Sequence, residues 1–301
     1  MNLLRHLFHR LIRLALGPHR FDYWQQRGVH VTPVSVYQPI PDTRTLRGES
    51  WAKPSELVGI DMNESGQLEL LEGLQRRFAA EYASLPSHAT GVSHEFYLEN
   101  GAFPPLDAKV LYGMVRQHRP RRIKEVGAGF STLLTAQALR RNQEEDPAYA
   151  CEFVTIDPIP HDFVRAGVPG LSRLVPSPVQ DVPFSEFAEL QANDILFIDS
   201  THVLKIGSDV QYEFLELLPR LRPGVLVHVH DVFLPFEYPR EWILEKQRFW
   251  NEQYLLQAFL ACNDSFQVVW GSAYMASRHR ERVEAAFASC NGASFWMRRI
   301  R

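Results

Sequence analysis

The sequence is poor in cysteine, has no long apolar run and carries almost no net charge. Its 301 residues include only three cysteines, and no two of them form a CxxC pair. This scarcity argues against a disulfide framework or a cysteine zinc site and favours a reducing, cytoplasmic compartment. No apolar run reaches the ~18 residues needed to cross a bilayer. The charges of the 32 basic and 35 acidic side chains nearly cancel, so we expect no nucleic-acid partner.

One region departs from this balance, because residues 1–20 contain no acidic side chain. Arginines there are interleaved with apolar residues at helical spacing, and Gly17-Pro18 ends the pattern. We predict a basic amphipathic helix over residues 1–20. Two interpretations stay open. Residues 1–16 lie on the anionic inner-membrane surface as a peripheral contact, or the helix packs on its own chain or on a second subunit, which we favour.

Further regions follow from changes in pattern along the chain. Residues 21–105 are weakly periodic with several prolines, and we predict an accessory or lid region there. Asp107 is expected to cap the next helix, and residues 106–301 are predicted to form a cofactor-binding domain. From Ile123 onward, short apolar strands alternate with helices. The predicted strands are Ile123–Val126, Phe153–Ile156, Arg173–Val175, Ile195–Ile198, Val225–Val229, Phe266–Trp270 and Ser294–Arg298.

This alternation predicts an α/β fold of the Rossmann-like, doubly wound kind, with a mostly parallel seven-stranded sheet covered by helices on both faces. Ligands bind such a sheet beyond the carboxyl ends of its strands, where the strand order reverses. The residues that follow each predicted strand are therefore the first place to look for chemistry.

A glycine-rich turn follows the first predicted strand. Gly127 and Gly129 allow a tight turn and a close approach of the backbone to a ligand, and Glu125 precedes them. Thr132 occupies the position of the third glycine in a dinucleotide-binding fingerprint. The acid that ends the next strand, Asp157, follows the glycines by more than the ~20 residues typical of that fingerprint. An acid at this place can accept hydrogen bonds from both hydroxyls of a ribose. The pattern favours a nucleoside with a cationic amino-acid tail over a pyrophosphate.

On these residues, the region from 123 to about 232 resembles the class I S-adenosylmethionine-dependent methyltransferases. The resemblance implies S-adenosyl-L-methionine as the cofactor. It assigns the methionine part to Glu125, Gly127, Gly129 and Ser131, the ribose to Asp157, and the adenine region to Asp181. For Glu125 the alternative is an acid that orients the following helix.

Acids and histidines also follow the fourth and fifth predicted strands. Asp199 and His202 come after the fourth strand, with Asp209 shortly downstream, and His230 and Asp231 end the fifth. Adjacent parallel strands bring these side chains to one place above the sheet. Asp199, His230 and Asp231 are candidate ligands for Mg²⁺ or another divalent cation. Asp199, His202 and His230 are candidate catalytic residues, with either imidazole acting as a general base in the absence of metal.

This D-x-x-H … H-D arrangement is similar to a branch of the class I methyltransferases that contains tailoring enzymes for sugars and secondary metabolites. It also resembles the metal-dependent catechol-type O-methyltransferases, which have Asp-Asn or Asp-Asp where this chain has His230-Asp231. The resemblance implies O-methylation of a hydroxyl on a sugar-containing or small-molecule acceptor. Aromatic residues between Phe233 and Tyr254 suit either a wall for that acceptor or a contact within a homo-oligomer.

Two other functions compete with this one. A nicotinamide-dependent oxidoreductase would share the sheet and the ribose acid, but the third glycine and a Tyr-x-x-x-Lys pair are missing from the sequence. A non-catalytic membrane or complex adaptor could retain the fold and act through the basic helix. The acidic residues at the strand ends argue against that interpretation, because a non-catalytic adaptor would not require them.

Overall fold

The computed structural model describes Leu7, Arg10, Gly17 and residues 20–301. The chain divides into two compact units: the described residues up to Ala52 with Glu241–Phe249, and Lys53–Arg240 with Trp250–Arg301. Most of the predicted basic helix over residues 1–20 lies outside the described residues, so its membrane contact stays a prediction, as do the predicted domain boundaries. Within the described part of the chain, no helix is both long and apolar enough to span a membrane.

The smaller unit contains short helices joined by irregular backbone. Helix α1 is Phe21–Gln25 and α2 is Glu49–Ala52. The segment between them is extended with turns, and the side chains of Val36 and Tyr37 are almost fully exposed. A role for this segment as a lid stays a prediction.

The larger unit is built on one sheet, which has seven strands among the described residues. Its order is β3-β2-β1-β4-β5-β7-β6. Strands β1 to β5 run parallel, and β7 is antiparallel to both β5 and β6. The predicted fold class is confirmed. The strands are β1 (Arg122–Val126), β2 (Glu152–Ile156), β3 (Arg173–Val175), β4 (Ile195–Ile198), β5 (Leu226–Val229), β6 (Phe266–Gly271) and β7 (Phe295–Arg299).

Helices cover both faces of this sheet, as alternation along β4 demonstrates. Ile195 and Phe197 belong to one apolar core, whereas Leu196 and Ile198 belong to the other, because successive side chains of a strand point to opposite faces. The further helices of the larger unit are α3 (Glu64–Ser84), α4 (Pro105–His118), α5 (Phe130–Glu145), α6 (Asp162–Arg165), α7 (Ser185–Ala188), α8 (Asp209–Tyr212), α10 (Glu252–Leu260), α11 (Ser272–Arg278) and α12 (Arg280–Phe287). Helix α9 (Arg240–Leu244) belongs, from Glu241 onward, to the smaller unit.

Asp107 does not cap α4 as predicted, and its true position corrects that expectation. Helix α4 begins at Pro105 after an N-cap at Pro104 that makes no side-chain hydrogen bond. The Asp107 carboxylate is fully buried and accepts hydrogen bonds from the Ser272 hydroxyl (2.6 Å) and from the backbone N–H groups of Ala293 and Ser294 (2.6 and 2.9 Å). A buried carboxylate needs such partners, and here they tie α4 to the start of β7.

Candidate active site

The turn formed by residues 127–129, called here the glycine turn, connects β1 to α5. Gly127 has φ +86°, and a Cβ atom added to it would lie 1.9 Å from the carbonyl oxygen of Asp199. Its N–H donates to the carbonyl of Ile156 (2.9 Å), and the N–H of Asp199 donates to the carbonyl of Val126 (2.9 Å). No side chain fits at position 127, because the ends of β1, β2 and β4 close tightly around it.

Glu125 lies beneath the glycine turn rather than in the open space above it. Its carboxyl group accepts hydrogen bonds from the hydroxyls of Ser131 (2.8 Å) and Thr132 (2.7 Å), and the Thr132 hydroxyl accepts from the N–H of Gly129 (3.0 Å). Complete burial raises the pKa of Glu125 to about 8. This is the helix-orienting arrangement that the sequence left as the alternative to cofactor contact.

Asp157 follows β2 at the edge of the same opening. Its two carboxylate oxygens accept hydrogen bonds from the backbone N–H groups of Ala128 (2.9 Å) and Ile159 (2.7 Å). Each oxygen keeps a second lone pair, so the carboxylate is held in one orientation while it can still accept from a ligand.

Two adjoining cavities, called here the cleft, open at the carboxyl ends of β1, β2 and β4. They have volumes of about 410 and 160 Å³, and Gly127, Asp157 and Asp199 line both. Asp181 is exposed and lies outside the residues that line either cavity. Its neighbour Gln180 lines the larger one, with its side-chain amide donating to the carbonyl of Gly207 (3.2 Å).

The residues predicted at the ends of β4 and β5 come together beside this cleft, as Asp199, His202, His230 and Asp231. We call these four the acid–imidazole cluster. His202 Nε2 lies 3.3 Å from Asp199 Oδ1 and 3.6 Å from Asp231 Oδ2. His230 Nδ1 lies 3.4 Å from Asp199 Oδ1 and 3.7 Å from Asp231 Oδ1. Asp199, His230 and Asp231 each present a potential ligand atom, all within 4.8 Å of one another.

Two carboxylates that sequence reasoning missed lie behind the two imidazoles. Glu252 Oε2 is 2.8 Å from His202 Nδ1, and Asp107 Oδ2 is 3.5 Å from His230 Nε2. Both acids are almost completely buried. No local signal marks them, because each lies in a helix far from its histidine along the chain.

Three successive residues of the loop after β4 each bond to a different acidic side chain. The pairs are Ser200 with Glu213 (3.0 Å), Thr201 with Asp209 (2.7 Å) and His202 with Glu252 (2.8 Å). Asp209 therefore anchors the loop, although it also lines the larger cavity. Glu213 lies in a turn of π-helix, Glu213–Leu217, between α8 and a short 3₁₀ helix at Leu218–Arg220.

Charges in the acid–imidazole cluster compensate one another. Burial alone would lower the pKa of His202, but its bonds to Asp199 and Glu252 raise that pKa to about 10. Burial also opposes the charged form of His230, yet the charges of Asp199 and Asp231 hold its pKa well above the usual value. At neutral pH both imidazoles are therefore positively charged, with a proton on each ring nitrogen. Neither accepts another proton in that state, so the predicted role as general base requires a change in local charge.

A family model described as a methyltransferase domain matches residues 125–232, which contain the glycine turn and the whole acid–imidazole cluster. A protein of Archaeoglobus fulgidus, described as uncharacterized, is 31% identical over 171 residues, or 54% of this chain and 75% of the relative. The chain therefore contains a methyltransferase domain of this family.

Solved structures with some likeness to this methyltransferase include two O-methyltransferases. One, from Bacillus cereus in complex with SAH, is 17% identical, covers 77% of this chain and 91% of its own, and has a TM-score of 0.39. The other, a TDP-rhamnose 3′-O-methyltransferase of calicheamicin biosynthesis, is 15% identical, covers 75% and 93%, and has a TM-score of 0.42. At such identities and TM-scores these neighbours carry no weight in assigning the activity.

The aromatic residues that follow β5 in this methyltransferase pack largely against one another. Tyr238 is buried and makes edge contacts with the rings of Phe233, Trp250 and Tyr254. The Trp250 ring also lies 4.3 Å from the His202 ring, measured between centroids. These contacts make Tyr238 part of the local core, whereas Phe236 and Tyr254 are exposed. The expected acceptor wall or oligomer contact stays a prediction.

Proposed function

We propose that this chain is an O-methyltransferase that transfers the methyl group of S-adenosylmethionine to a hydroxyl of a small-molecule or sugar-containing acceptor. One observation carries the proposal: Asp199 lines both cavities of the cleft and is also a member of the acid–imidazole cluster. A ligand in the cleft and a hydroxyl at the cluster would therefore meet at Asp199. Holding the two reactants in line supplies much of the catalysis in such a transfer.

The cleft suits the methyl donor. Gly127 lines both cavities of the cleft, and the Asp157 carboxylate is oriented by two N–H groups. When bound, S-adenosylmethionine supplies an electrophilic methyl group. The residues we assign to it are Gly127, Gly129 and Ser131 at the methionine part, Asp157 at the ribose and Gln180 at the nucleobase end. Gln180 takes the place expected for Asp181, and Glu125 supports the turn from below.

The acid–imidazole cluster also suits a divalent cation. Asp199, His230 and Asp231 combine two carboxylates and an imidazole, donors that divalent ions accept. When bound there, such an ion would lower the pKa of an acceptor hydroxyl. Its positive charge would also favour a neutral His202, which is not among these three ligands and could take up the hydroxyl proton.

Calorimetric titration with S-adenosylmethionine and with NAD tests the donor. We expect S-adenosylmethionine to bind and NAD not to bind, and tight binding of NAD alone would overturn the proposal in favour of the oxidoreductase. Asp157→Asn should abolish binding of S-adenosylmethionine. Its matched control, Asp181→Asn, removes an exposed carboxylate outside the cleft and should leave binding unchanged.

Methyl transfer to a panel of sugars and small phenols, with and without EDTA, tests the acceptor and the cation. The proposal expects transfer to at least one hydroxyl compound. Activity that is lost with EDTA and regained on adding a divalent cation supports the metal-assisted form, whereas activity unaffected by EDTA contradicts it.

A further inference from the structure

The larger cavity of the cleft is lined by a lysine that the proposed transfer does not use. Among the described residues, Lys205 is the one lysine or arginine that lines either cavity, whereas Asp157, Asp199 and Asp209 line the larger cavity with it. No acidic side chain within residues 20–301 forms an ion pair with Lys205. Its ammonium group therefore keeps its N–H donors for a ligand in this cavity.

The backbone at Lys205 is fixed by a short turn, residues 205–208, called here the lysine turn. The N–H of Lys205 donates to the Ser208 hydroxyl (3.2 Å), and the N–H of Ser208 donates back to the carbonyl of Lys205 (3.1 Å). Gly207 has φ +72°, and its N–H donates to the side-chain carbonyl of Gln211 (2.7 Å). The lysine side chain thus starts from a defined place on the cavity wall.

Gln180 is joined to the same turn from the opposite side of the cavity wall. Its side-chain nitrogen donates to the carbonyl of Gly207 (3.2 Å). A backbone carbonyl can only accept, so this bond identifies the amide nitrogen and leaves the amide oxygen as a separate acceptor. No donor among the described residues bonds that oxygen. One turn of the wall therefore presents a donor, Lys205, beside an acceptor, the Gln180 oxygen.

A neighbouring donor and acceptor of this kind complement the edge of adenine. The exocyclic amine of adenine donates hydrogen bonds, and the ring nitrogens on either side of it accept them. Hypoxanthine has a carbonyl oxygen in place of that amine, so the Gln180 oxygen would face a second acceptor. Gly129 and Ser131, assigned to the methionine part, line the smaller cavity, which leaves the larger cavity for the nucleobase.

We propose that Lys205 and Gln180 together determine the nucleobase specificity of the donor site, with the Gln180 oxygen accepting from the exocyclic amine of adenine and Lys205 donating to an adjacent ring nitrogen. The inference rests on the proposed function and deepens it by naming the group that the larger cavity selects. It also gives a role to the ammonium group that the methyl transfer leaves unused.

Calorimetric titration with S-adenosylhomocysteine and with S-inosylhomocysteine, which carries hypoxanthine, tests this inference without an acceptor. We expect the whole chain to bind the adenine compound about 10–100-fold more tightly. Gln180→Met should bring the two affinities within about threefold of each other, because it removes the acceptor that separates the bases. Lys205→Met should weaken binding of S-adenosylhomocysteine about tenfold, the loss expected for a hydrogen bond from a charged donor.

Lys205→Arg keeps a cationic donor and should restore most of that affinity. Lys246→Met is the matched control, since Lys246 lies outside both cavities and pairs with Glu241 (2.8 Å), and it should leave both affinities unchanged. Equal wild-type affinity for the two compounds, undiminished discrimination in Gln180→Met, or undiminished binding in Lys205→Met would each overturn the inference and leave the methyltransferase proposal standing. Failure of the wild type to bind S-adenosylhomocysteine would overturn the proposed function, and this inference with it.

Discussion

The cleft is bounded by two regions that keep their shape in different ways. The glycine turn is formed by neighbours in sequence, and its geometry depends on the backbone, since no side chain fits at Gly127. The acid–imidazole cluster gathers side chains from several segments, and its geometry depends on opposed charges around Asp199 and Asp231. Changes in the turn should therefore act through shape, and changes in the cluster through charge and pH.

The largest effect on ligand binding is expected in the turn. Gly127→Ala would place a Cβ atom against the Asp199 carbonyl at a positive φ, and we expect it to abolish binding of S-adenosylmethionine and to lower the free energy of unfolding by about 2–4 kcal/mol. Urea denaturation and calorimetry measure both. Gly129→Ala is the matched control for the fold, since a Cβ atom there meets nothing within 4 Å. Equal loss of stability in the two variants would contradict the shape argument.

The next effect breaks the charge balance of the cluster. Asp199→Asn removes a carboxylate that faces both imidazoles, and leaving buried charge unpaired costs about 3–5 kcal/mol. We expect a loss of this order in the free energy of unfolding at pH 7 in the presence of EDTA. The loss should shrink at pH values where the imidazoles are neutral. A loss that is the same at every pH would show that Asp199 acts through packing instead of charge.

The two regions should also titrate in different pH windows. Glu125 has a folded pKa of about 8, raised by burial from 4.5, so its folded form binds the proton more tightly and stability falls as pH rises between those values. His202 has a folded pKa of about 10 against 6.5. Its contribution is complete below pH 6.5 and is lost as pH rises towards 10. At about 1.4 kcal/mol per pKa unit, each window should account for up to about 5 kcal/mol.

Denaturation of the metal-free protein from pH 4.5 to 10 measures these windows. Glu125→Gln should reduce the fall in stability across the lower window, where buried Glu213 also titrates. His202→Gln should reduce the fall across the upper window, where His230 also titrates. A single substitution that flattens both would mean that the two regions titrate as one unit.

The contrast between local and distant contacts also explains what could be predicted from the sequence. The bounds of β4 were predicted correctly, because a strand buried on both faces is an uninterrupted apolar run. The four members of the cluster were found because parallel strands end side by side. Glu252 was missed, since its bond to His202 joins residues 50 positions apart and no periodicity marks it. Asp181 lies in a short 3₁₀ helix, Val179–Asp181, whose other two residues line the larger cavity. Which residues of such a short helix face a cavity depends on tertiary packing, which the sequence does not reveal.

The smallest effect compares one hydrogen bond from each region. Ser131 donates to buried Glu125 (2.8 Å) and Ser200 donates to buried Glu213 (3.0 Å). Removal of a hydroxyl donor lowers the free energy of unfolding by about 0.5–1.5 kcal/mol when its acceptor keeps another partner. The loss is about 1–3 kcal/mol when the buried acceptor is left with none. Glu125 keeps Thr132 as a partner, whereas the other oxygen of Glu213 has no hydrogen bond within the described residues. Ser200→Ala should therefore destabilise the protein more than Ser131→Ala in urea denaturation at pH 7. If Ser131→Ala proves the costlier change, the turn depends on side-chain bonding more than its backbone geometry indicates.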